Sequence, residues 1–188
     1  KETHTHTAIL ADLQGPKIRI GEVKKSIILK KGDEIIFSTK KEKNTVQIKY
    51  LNFAKDVNTK EKVILDDGKI LLEVVSTNNK DMVVLKVLFG GVLYSNKGVN
   101  LPDTTISLPS LTRKDKDDLE FIFSQKIEWI ALSFVRKAGD IEQLRRTLLK
   151  RKSTQKIIAK IEKPEAIKNI NEIIAAADAI MVARGDLG

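Results

Sequence analysis

Lys160, Glu162 and Asp186 are charged residues whose spacing could bring them into one reactive site. Lys160 and Glu162 lie two residues apart in an apolar run typical of a β-strand, so their side chains project to the same face. Asp186 follows the next apolar run, and neighbouring strands lie about 4.8 Å apart. Glu162 and Asp186 could therefore share a divalent cation, and carboxylate oxygens suit Mg²⁺.

A lysine beside such a cation could neutralise charge that develops on a transferring phosphoryl group. Lys160 is the candidate, and Gly185 would let the backbone approach a ligand closely. The alternative interpretation is structural: Lys160 and Glu162 form a buried ion pair, and Asp186 caps a helix. The residue pattern alone leaves both interpretations open.

A second polar group follows the first apolar run of the chain. Asp12 ends that run, and Arg19 lies beyond the Gly-Pro turn that comes next. If the apolar runs pair as parallel strands, Asp12 ends at the same edge of the sheet as Lys160. Pairing of Asp12 with Lys17 or Arg19 is the simpler interpretation.

Three further sequences are weaker candidates. The Asp66–Gly68 sequence is typical of a hairpin turn, with contact to a metal-bound nucleotide as the second interpretation. Lys97 precedes a glycine and has the pattern of a solvated surface lysine. His4 and His6 lie in a polar start to the chain and do not favour a metal site.

The elements that must position these residues begin with a β-rich region from about residue 16 to residue 110. Short β-branched and apolar runs alternate there with turn signals, which is typical of a small antiparallel barrel or sandwich. The predicted strands are Ile27 to Leu29, Glu34 to Ser38, Thr45 to Ile48, Lys62 to Leu65, Ile70 to Val75 and Met82 to Leu88.

After Leu111 the apolar period changes from about two to about 3.6, and helices alternate with short strands. Thr112 and Asp115 resemble a capping box that opens the first helix. The predicted elements that follow are a strand from Trp129 to Phe134, a helix from about Gly139 to Lys150, a strand from Lys156 to Ile161, a helix opened by Pro164 that buries Ile167, Ile170 and Ile174, and a strand from Ala179 to Ala183.

Together with the strand over residues 8–13, these elements predict an α/β fold that contains half of a parallel barrel. The predicted fold class is a partial parallel (β/α)8 barrel with an inserted small all-β barrel domain. Residues 1–15 and 111–188 are assigned to the partial barrel, and residues 16–110 to the insertion.

Composition narrows the possible functions. The chain has 188 residues, 41% of them apolar, and no cysteine, so thiolate nucleophiles and thiolate metal sites are excluded. No apolar run approaches the roughly 18 residues that span a membrane, which favours a cytosolic protein. The net charge of +9 is spread along the chain, and aromatic residues are not interleaved with the lysines. We therefore expect no nucleic-acid binding.

Five segments resemble, in this order along the chain, segments of the pyruvate kinase family. Pyruvate kinases have a parallel barrel with a mobile β domain inserted after the third strand, and they transfer phosphate from phosphoenolpyruvate to ADP, giving pyruvate and ATP. The matching segments are Ala11-Asp12-Leu13-Gln14-Gly15-Pro16-Lys17-Ile18-Arg19, Leu65-Asp66-Asp67-Gly68, Lys97-Gly98-Val99-Asn100-Leu101-Pro102, Ala159-Lys160-Ile161-Glu162 and Met181-Val182-Ala183-Arg184-Gly185-Asp186-Leu187-Gly188.

The resemblance implies roles for the first group of residues. Lys160 would be the catalytic residue that stabilises the transferring phosphoryl group. Glu162 and Asp186 would hold Mg²⁺ or Mn²⁺. Lys160, Gly185 and Asp186 would border phosphoenolpyruvate.

The resemblance also implies a nucleotide site and a monovalent cation site. Arg19 and Lys97 would contact nucleotide phosphates, Lys97 when the inserted domain closes as a lid. Asp12 and Leu13 match a pair that helps to hold K⁺ in potassium-dependent members. Lys17 departs from that pattern, since those members have Glu there; its ammonium group could replace the cation.

The resemblance further implies a cytoplasmic glycolytic enzyme that is a homotetramer at full length. The first two barrel strands and the regulatory domain of the family have no match here, so we expect the chain alone to have little kinase activity. Two alternatives stay open: another metal-dependent barrel that acts on phosphoenolpyruvate, such as a lyase, and a basic module that binds nucleic acid.

Overall fold

The computed structural model describes residues 7–183, which divide into two compact units. The α/β unit contains the residues up to Pro16 and from Leu108 onward, and the β unit contains Lys17–Ser107. Among the described residues, no helix is long and apolar enough to cross a membrane.

The α/β unit is built on a sheet of four parallel strands in the order β1-β10-β11-β12, which is half of a barrel sheet. Its elements alternate as the sequence predicts, and they confirm an α/β fold. The bounds are β1 (Leu10–Asp12), α2 (Arg113–Phe123), β10 (Trp129–Leu132), α3 (Ala138–Lys150), β11 (Lys156–Ile161), α4 (Pro164–Lys168), α5 (Ile170–Ala176) and β12 (Ala179–Val182).

Strand β11 shows how this sheet separates its core from its polar site. Ile157, Ala159 and Ile161 are buried and belong to the hydrophobic core that the sheet shares with α2 and α3. Because successive strand residues point to opposite faces, Ile158 and Lys160 project to the other face of the sheet. The core therefore fixes the strand that carries Lys160.

The first helix of the α/β unit begins at the predicted capping box. The Thr112 hydroxyl accepts a hydrogen bond from the Asp115 amide, and the Asp115 carboxylate accepts one from the Thr112 amide at 2.8 Å. Asp115 also accepts a hydrogen bond from the Gly15 amide at 3.1 Å. This fully buried carboxylate thereby joins the start of α2 to the turn after β1.

The predicted apolar stripe of the helix after Pro164 is wrong at Ile167 and Ile174, whereas Ile170 is half-buried and packs against the core. Ile167 and Ile174 are 53% and 51% exposed, whereas Ile173 is fully buried. The helix breaks at Asn169, which ends α4 and precedes α5. The break changes the phase of the helix, so two of the three residues that a continuous helix would bury lie at the surface.

The β unit contains a six-stranded sheet in the order β4-β3-β7-β6-β5-β9 and a separate two-stranded sheet of β2 and β8. Neighbours in both sheets are antiparallel, except β3 and β4, which are parallel. The bounds are β2 (Ile27–Leu29), β3 (Glu34–Ser38), β4 (Val46–Gln47), α1 (Phe53–Asp56), β5 (Lys62–Leu65), β6 (Ile70–Thr77), β7 (Met82–Phe89), β8 (Gly91–Leu93) and β9 (Val99–Asn100).

The segment around Arg19 and Ile20 contacts the chain next to both edge strands of the six-stranded sheet. Ile20 forms an antiparallel bridge with Ile48, beside β4, and Arg19 forms one with Gly98, beside β9. These two bridges connect the opposite edges of the sheet through one extended segment. Arg19 is thereby fixed directly beside the segment that carries Lys97.

The sequence analysis did not predict α1, β8 or β9. Helix α1 has four residues, β8 three and β9 two, so none is long enough to show a period of its own. The helix is fixed instead by packing: Phe53 is fully buried, and its ring centroid lies 6.2 Å from that of Phe37 on β3.

Candidate active site

Lys160 lies at the carboxyl end of β11 with its ammonium group between two carboxylates. Lys160 Nζ is 3.0 Å from Glu162 Oε1, and it donates to both Asp12 oxygens at 3.0 and 3.1 Å. It also donates to Ser133 Oγ at 2.9 Å. These residues follow or end β1, β10 and β11, so three adjacent parallel strands build the site from their carboxyl ends.

The charge of this lysine is maintained by its partners. Burial alone would lower the pKa of Lys160, but the hydrogen bonds to Asp12 and Glu162 outweigh it and raise the pKa above its usual value. Lys160 is therefore a cation at neutral pH, although only 13% of its side chain is exposed. Such a fixed positive charge can stabilise a negative charge that develops beside it.

Glu162 is almost completely buried, with 2% of its side chain exposed. Its Oε1 faces Lys160, and its Oε2 accepts a hydrogen bond from the Phe134 amide at 2.8 Å. Phe134 has φ +55°, a left-handed conformation that is rare for a bulky residue. That conformation lies at the site itself, where strained backbone tends to be found in proteins.

Gly15 supports the same corner of the site from the turn after β1. It has φ +65°, and a Cβ atom there would lie 2.9 Å from Phe134 Cδ2 and 3.0 Å from Ser133 Cβ. Only glycine fits this turn without moving the segment that contacts both Lys160 and Glu162.

The structure gives Asp12 a different partner from the one that the sequence favoured. Asp12 pairs with Lys160, two strands away in the sheet, so the expected pairing with Lys17 or Arg19 is wrong. The Asp12 side chain is 52% exposed. Leu13 is buried, and its amide donates to the Ala131 carbonyl at 3.0 Å.

The described residues supply one of the two predicted metal ligands. In the described contacts, Glu162 Oε1 pairs with Lys160 and Oε2 accepts from the Phe134 amide, and since each carboxylate oxygen has two lone pairs, Glu162 fits a hard cation. Asp186 and Gly185 lie outside the described residues, as do His4 and His6. Between residues 7 and 183, no three His, Asp or Glu side chains form a group that could hold a metal ion alone.

The β unit brings together the two residues that the resemblance assigns to nucleotide phosphates. Arg19 Nη1 donates to the Asn96 carbonyl at 3.0 Å, and the Ile20 amide donates to the Lys97 carbonyl at 3.0 Å. Lys97 Nζ pairs with Asp66 at 2.8 Å and lies 5.9 Å from the centre of the Tyr94 ring. Lys17, in the same unit, is exposed.

Sequence reasoning missed Ser133 and Phe134, and it identified Asp115 as a capping residue without its contact to Gly15. Ser133 is 2% exposed and lies just past the end of β10, where a polar residue after a buried strand was the available signal. For Phe134, no feature of the sequence indicates a left-handed conformation.

Comparison with known proteins assigns this chain to a family. The profile of the family described as pyruvate kinase, barrel domain, matches residues 1–188, so the chain belongs to the pyruvate kinase barrel domain family. The resemblance inferred from the five segments is thereby confirmed.

Individual relatives agree with this assignment. The chain is 42% identical to a pyruvate kinase of Corynebacterium efficiens over all of this chain and 40% of the relative. It is 42% identical to a pyruvate kinase of Geobacillus stearothermophilus over all of this chain and 33% of the relative. A pyruvate kinase of Thermococcus litoralis is 37% identical over 96% of this chain and 39% of the relative. The chain therefore spans a third to two fifths of these relatives.

Proposed function

We propose that this chain is the part of a glycolytic pyruvate kinase that holds the transferring phosphoryl group. The complete enzyme would move phosphate from phosphoenolpyruvate to ADP, giving pyruvate and ATP. The observation that carries the proposal is the Lys160 ammonium group, which contacts Asp12, Ser133 and Glu162 at the carboxyl ends of parallel strands.

In this proposal Lys160 binds an oxygen of the transferring phosphoryl group and stabilises its charge in the transition state. The two carboxylates keep Lys160 protonated before substrate arrives. Asp12 is the half-exposed partner, so a phosphoryl oxygen can replace it, whereas the buried Glu162 stays in place. The ammonium group would thus exchange one anionic partner for another during turnover.

Glu162 and Asp186 are the proposed ligands of Mg²⁺ or Mn²⁺, and Gly185 and Asp186 are proposed to border phosphoenolpyruvate. The metal ion, when bound, would neutralise charge on the phosphoryl oxygens. Glu162 itself is oriented by the Phe134 amide, so its position does not depend on the ion.

Arg19 and Lys97 are the proposed contacts to nucleotide phosphates. We also propose that residues 16–110 are a domain inserted into the partial barrel of residues 1–15 and 111–188, a small all-β barrel that acts as a lid. The bridges that connect the two edges of its six-stranded sheet through the Arg19 segment support the barrel. The proposed complete protein is a cytoplasmic homotetramer.

Asp12 and Leu13 are the proposed remnant of a K⁺ site, in which the exposed Lys17 ammonium supplies the positive charge. We predict that a complete enzyme containing this chain works without added K⁺. Lys17→Glu should create a K⁺ requirement, measured as turnover against KCl with a sodium salt holding the ionic strength constant. A strong K⁺ requirement before the substitution would contradict this assignment.

The experiment that tests the proposed function exchanges the matching segment of the Geobacillus stearothermophilus pyruvate kinase for this chain. We expect the exchanged enzyme to form pyruvate from phosphoenolpyruvate only when ADP is present. Consumption of phosphoenolpyruvate without ADP would favour a lyase.

A further inference from the structure

The ammonium group proposed for nucleotide phosphates is held in this structure by a buried carboxylate. Asp66 Oδ1 lies 2.8 Å from Lys97 Nζ, and Asp66 Oδ2 lies 3.2 Å from Lys69 Nζ. Only 9% of the Asp66 side chain is exposed, compared with 33% for Lys97. The carboxylate therefore contacts Lys97 from the protein side, while part of Lys97 faces solvent.

Backbone contacts hold Asp66 in this position. It begins the turn between β5 and β6, where Asp66 and Asp67 have φ +50° and +53°. The Asp66 amide donates to the Gly98 carbonyl at 3.2 Å. The turn and the segment that carries Lys97 are thus joined by both a backbone and a side-chain contact.

Other cations converge on the same segment. Arg19 Nη1 donates to the Asn96 carbonyl at 3.0 Å, and Lys49 Nζ donates to Asn96 Oδ1 at 2.8 Å. We define Arg19, Lys49, Lys69 and Lys97 as the cationic cluster. In the contacts described for this cluster, Asp66 is the carboxylate that pairs with two of its members.

We propose that Asp66 is an internal substitute for a phosphate group, which a nucleoside diphosphate must displace from Lys97 in order to bind. The inference rests on the proposed function, because that function assigns Lys97 to the nucleotide. Asp66 would then set the affinity for the nucleotide. It would also keep the cationic cluster from binding other anions when no nucleotide is present.

The expected effect follows from the competition. An anion that binds Lys97 must break or share the Asp66 pair and must also approach the Asp66 charge. A pair at a partly exposed site resists displacement by about two- to fivefold in affinity, and the approach to a like charge adds to this. Removal of the Asp66 charge should therefore strengthen nucleotide binding by about three- to tenfold.

The test is calorimetric titration of the 188-residue chain with ADP in the absence of divalent cations. Asp66→Asn is the variant, since asparagine tolerates the left-handed conformation of this turn. Asp67→Asn is the matched control, because Asp67 is exposed and adjacent and loses the same charge. We expect Asp66→Asn to lower the dissociation constant for ADP by about three- to tenfold. Asp67→Asn should leave it unchanged. Thermal unfolding of each variant verifies that the fold is retained.

Lys97→Met provides the coupling test. When either substitution is combined with Lys97→Met, Asp66→Asn and Asp67→Asn should change the affinity for ADP equally. The Lys97 ammonium group that pairs with Asp66 is then absent. If Lys97→Met weakens ADP binding while Asp66→Asn binds ADP no more tightly than Asp67→Asn, the inference is overturned and the nucleotide site stands. If neither the unaltered chain nor Asp66→Asn binds ADP, both the inference and the proposed nucleotide site are overturned.

Discussion

The Lys160 ammonium group has three protons and faces four acceptor atoms on Asp12, Glu162 and Ser133. The three residues follow or end three different strands, and the Ser133 hydroxyl in turn lies 3.3 Å from Asp12 Oδ1. The structural interpretation, a buried pair of Lys160 and Glu162, therefore describes the structure correctly. It does not exclude catalysis, because the Asp12 side of the ammonium group remains open to solvent.

Because of these contacts, Lys160→Met should destabilise the chain. The substitution leaves Glu162 buried and without its cation, which typically costs about 3–5 kcal/mol. Denaturant unfolding of the 188-residue chain measures the change. Lys156→Met is the matched control, since Lys156 lies on the same face of β11 and the one interaction described for its side chain is with the Trp129 ring, 5.3 Å from the ring centre. Its cost should be about 1 kcal/mol or less. Equal losses in the two variants would show that the Lys160–Glu162 pair contributes no special stability.

The residue pattern predicted part of this site and not the rest. Lys160 and Glu162 could be identified because strand alternation places both on one face. The contacts of Ser133 with Asp12 and of Phe134 with Glu162 could not be predicted. They arise because β10 packs beside its neighbouring strands, which the spacing of residues along the chain does not show. Asp186 and Gly185 stay predictions.

At the scale of elements, the turn after β1 determines how the strand ends meet. Gly15 combines a left-handed conformation with close contact to Phe134 and Ser133, and its amide donates to Asp115 at the start of α2. The turn therefore connects β1, α2 and the residues after β10.

Gly15→Ala should accordingly destabilise the α/β unit by about 2–4 kcal/mol. This cost combines the left-handed conformation of the alanine with the contacts of its Cβ atom with Phe134 and Ser133. Gly32→Ala separates the two effects, since Gly32 has φ +94° but nothing within 4 Å of the added Cβ. That control should lose only about 1 kcal/mol. Denaturant unfolding of both variants measures the change in the free energy of unfolding. Equal losses in Gly32→Ala and Gly15→Ala would show that the close contacts at Gly15 add nothing to the conformational cost.

In the β unit, Tyr50 joins the end of α1 to the end of the unit. Its hydroxyl contacts the Asp56 carboxylate and accepts a hydrogen bond from the Ser107 amide at 3.0 Å. Burial first, and then the hydrogen bond to Asp56, raise the pKa of Tyr50 from 10.0 to about 12.

A raised phenol pKa means that the folded state favours the protonated form. This contribution to stability is complete below pH 10 and is lost as the pH rises from 10 to about 12. Tyr50→Phe should therefore lose less stability than the unaltered chain over that interval, measured by denaturant unfolding at each pH. The exposed Tyr94 is the control, since Tyr94→Phe should keep the full alkaline loss. Identical alkaline profiles for Tyr50→Phe and the unaltered chain would refute this role.

Most elements were predictable, including the three-residue strand β2, whereas α1, β8, β9 and the interruption of the helix after Pro164 were not. The bounds of β11 agree with the prediction, since its six residues include three isoleucines, which favour strands. The stripe after Pro164 failed because Asn169 interrupts the helix, and the Asn169 side chain instead donates to the Arg136 carbonyl at 2.9 Å. A tertiary contact of this kind leaves no mark on the periodicity.

For the whole molecule, the four-stranded parallel sheet has the strand number of half an eight-stranded barrel. The chain also spans only a third to two fifths of its curated relatives. We therefore expect the 188 residues alone to show little turnover in an assay that couples pyruvate release to a signal. Near-normal turnover by the chain alone would overturn this expectation.

The catalytic role proposed for Lys160 is tested most directly by ADP-dependent pyruvate formation. The enzymes compared are the exchanged Geobacillus stearothermophilus enzyme and its Lys160→Met and Lys156→Met variants. We predict activity in the exchanged enzyme and in Lys156→Met, and a loss of at least about 10²- to 10³-fold in Lys160→Met. Equal activity in the two variants, or an exchanged enzyme that folds and binds both substrates without forming pyruvate, would contradict this prediction.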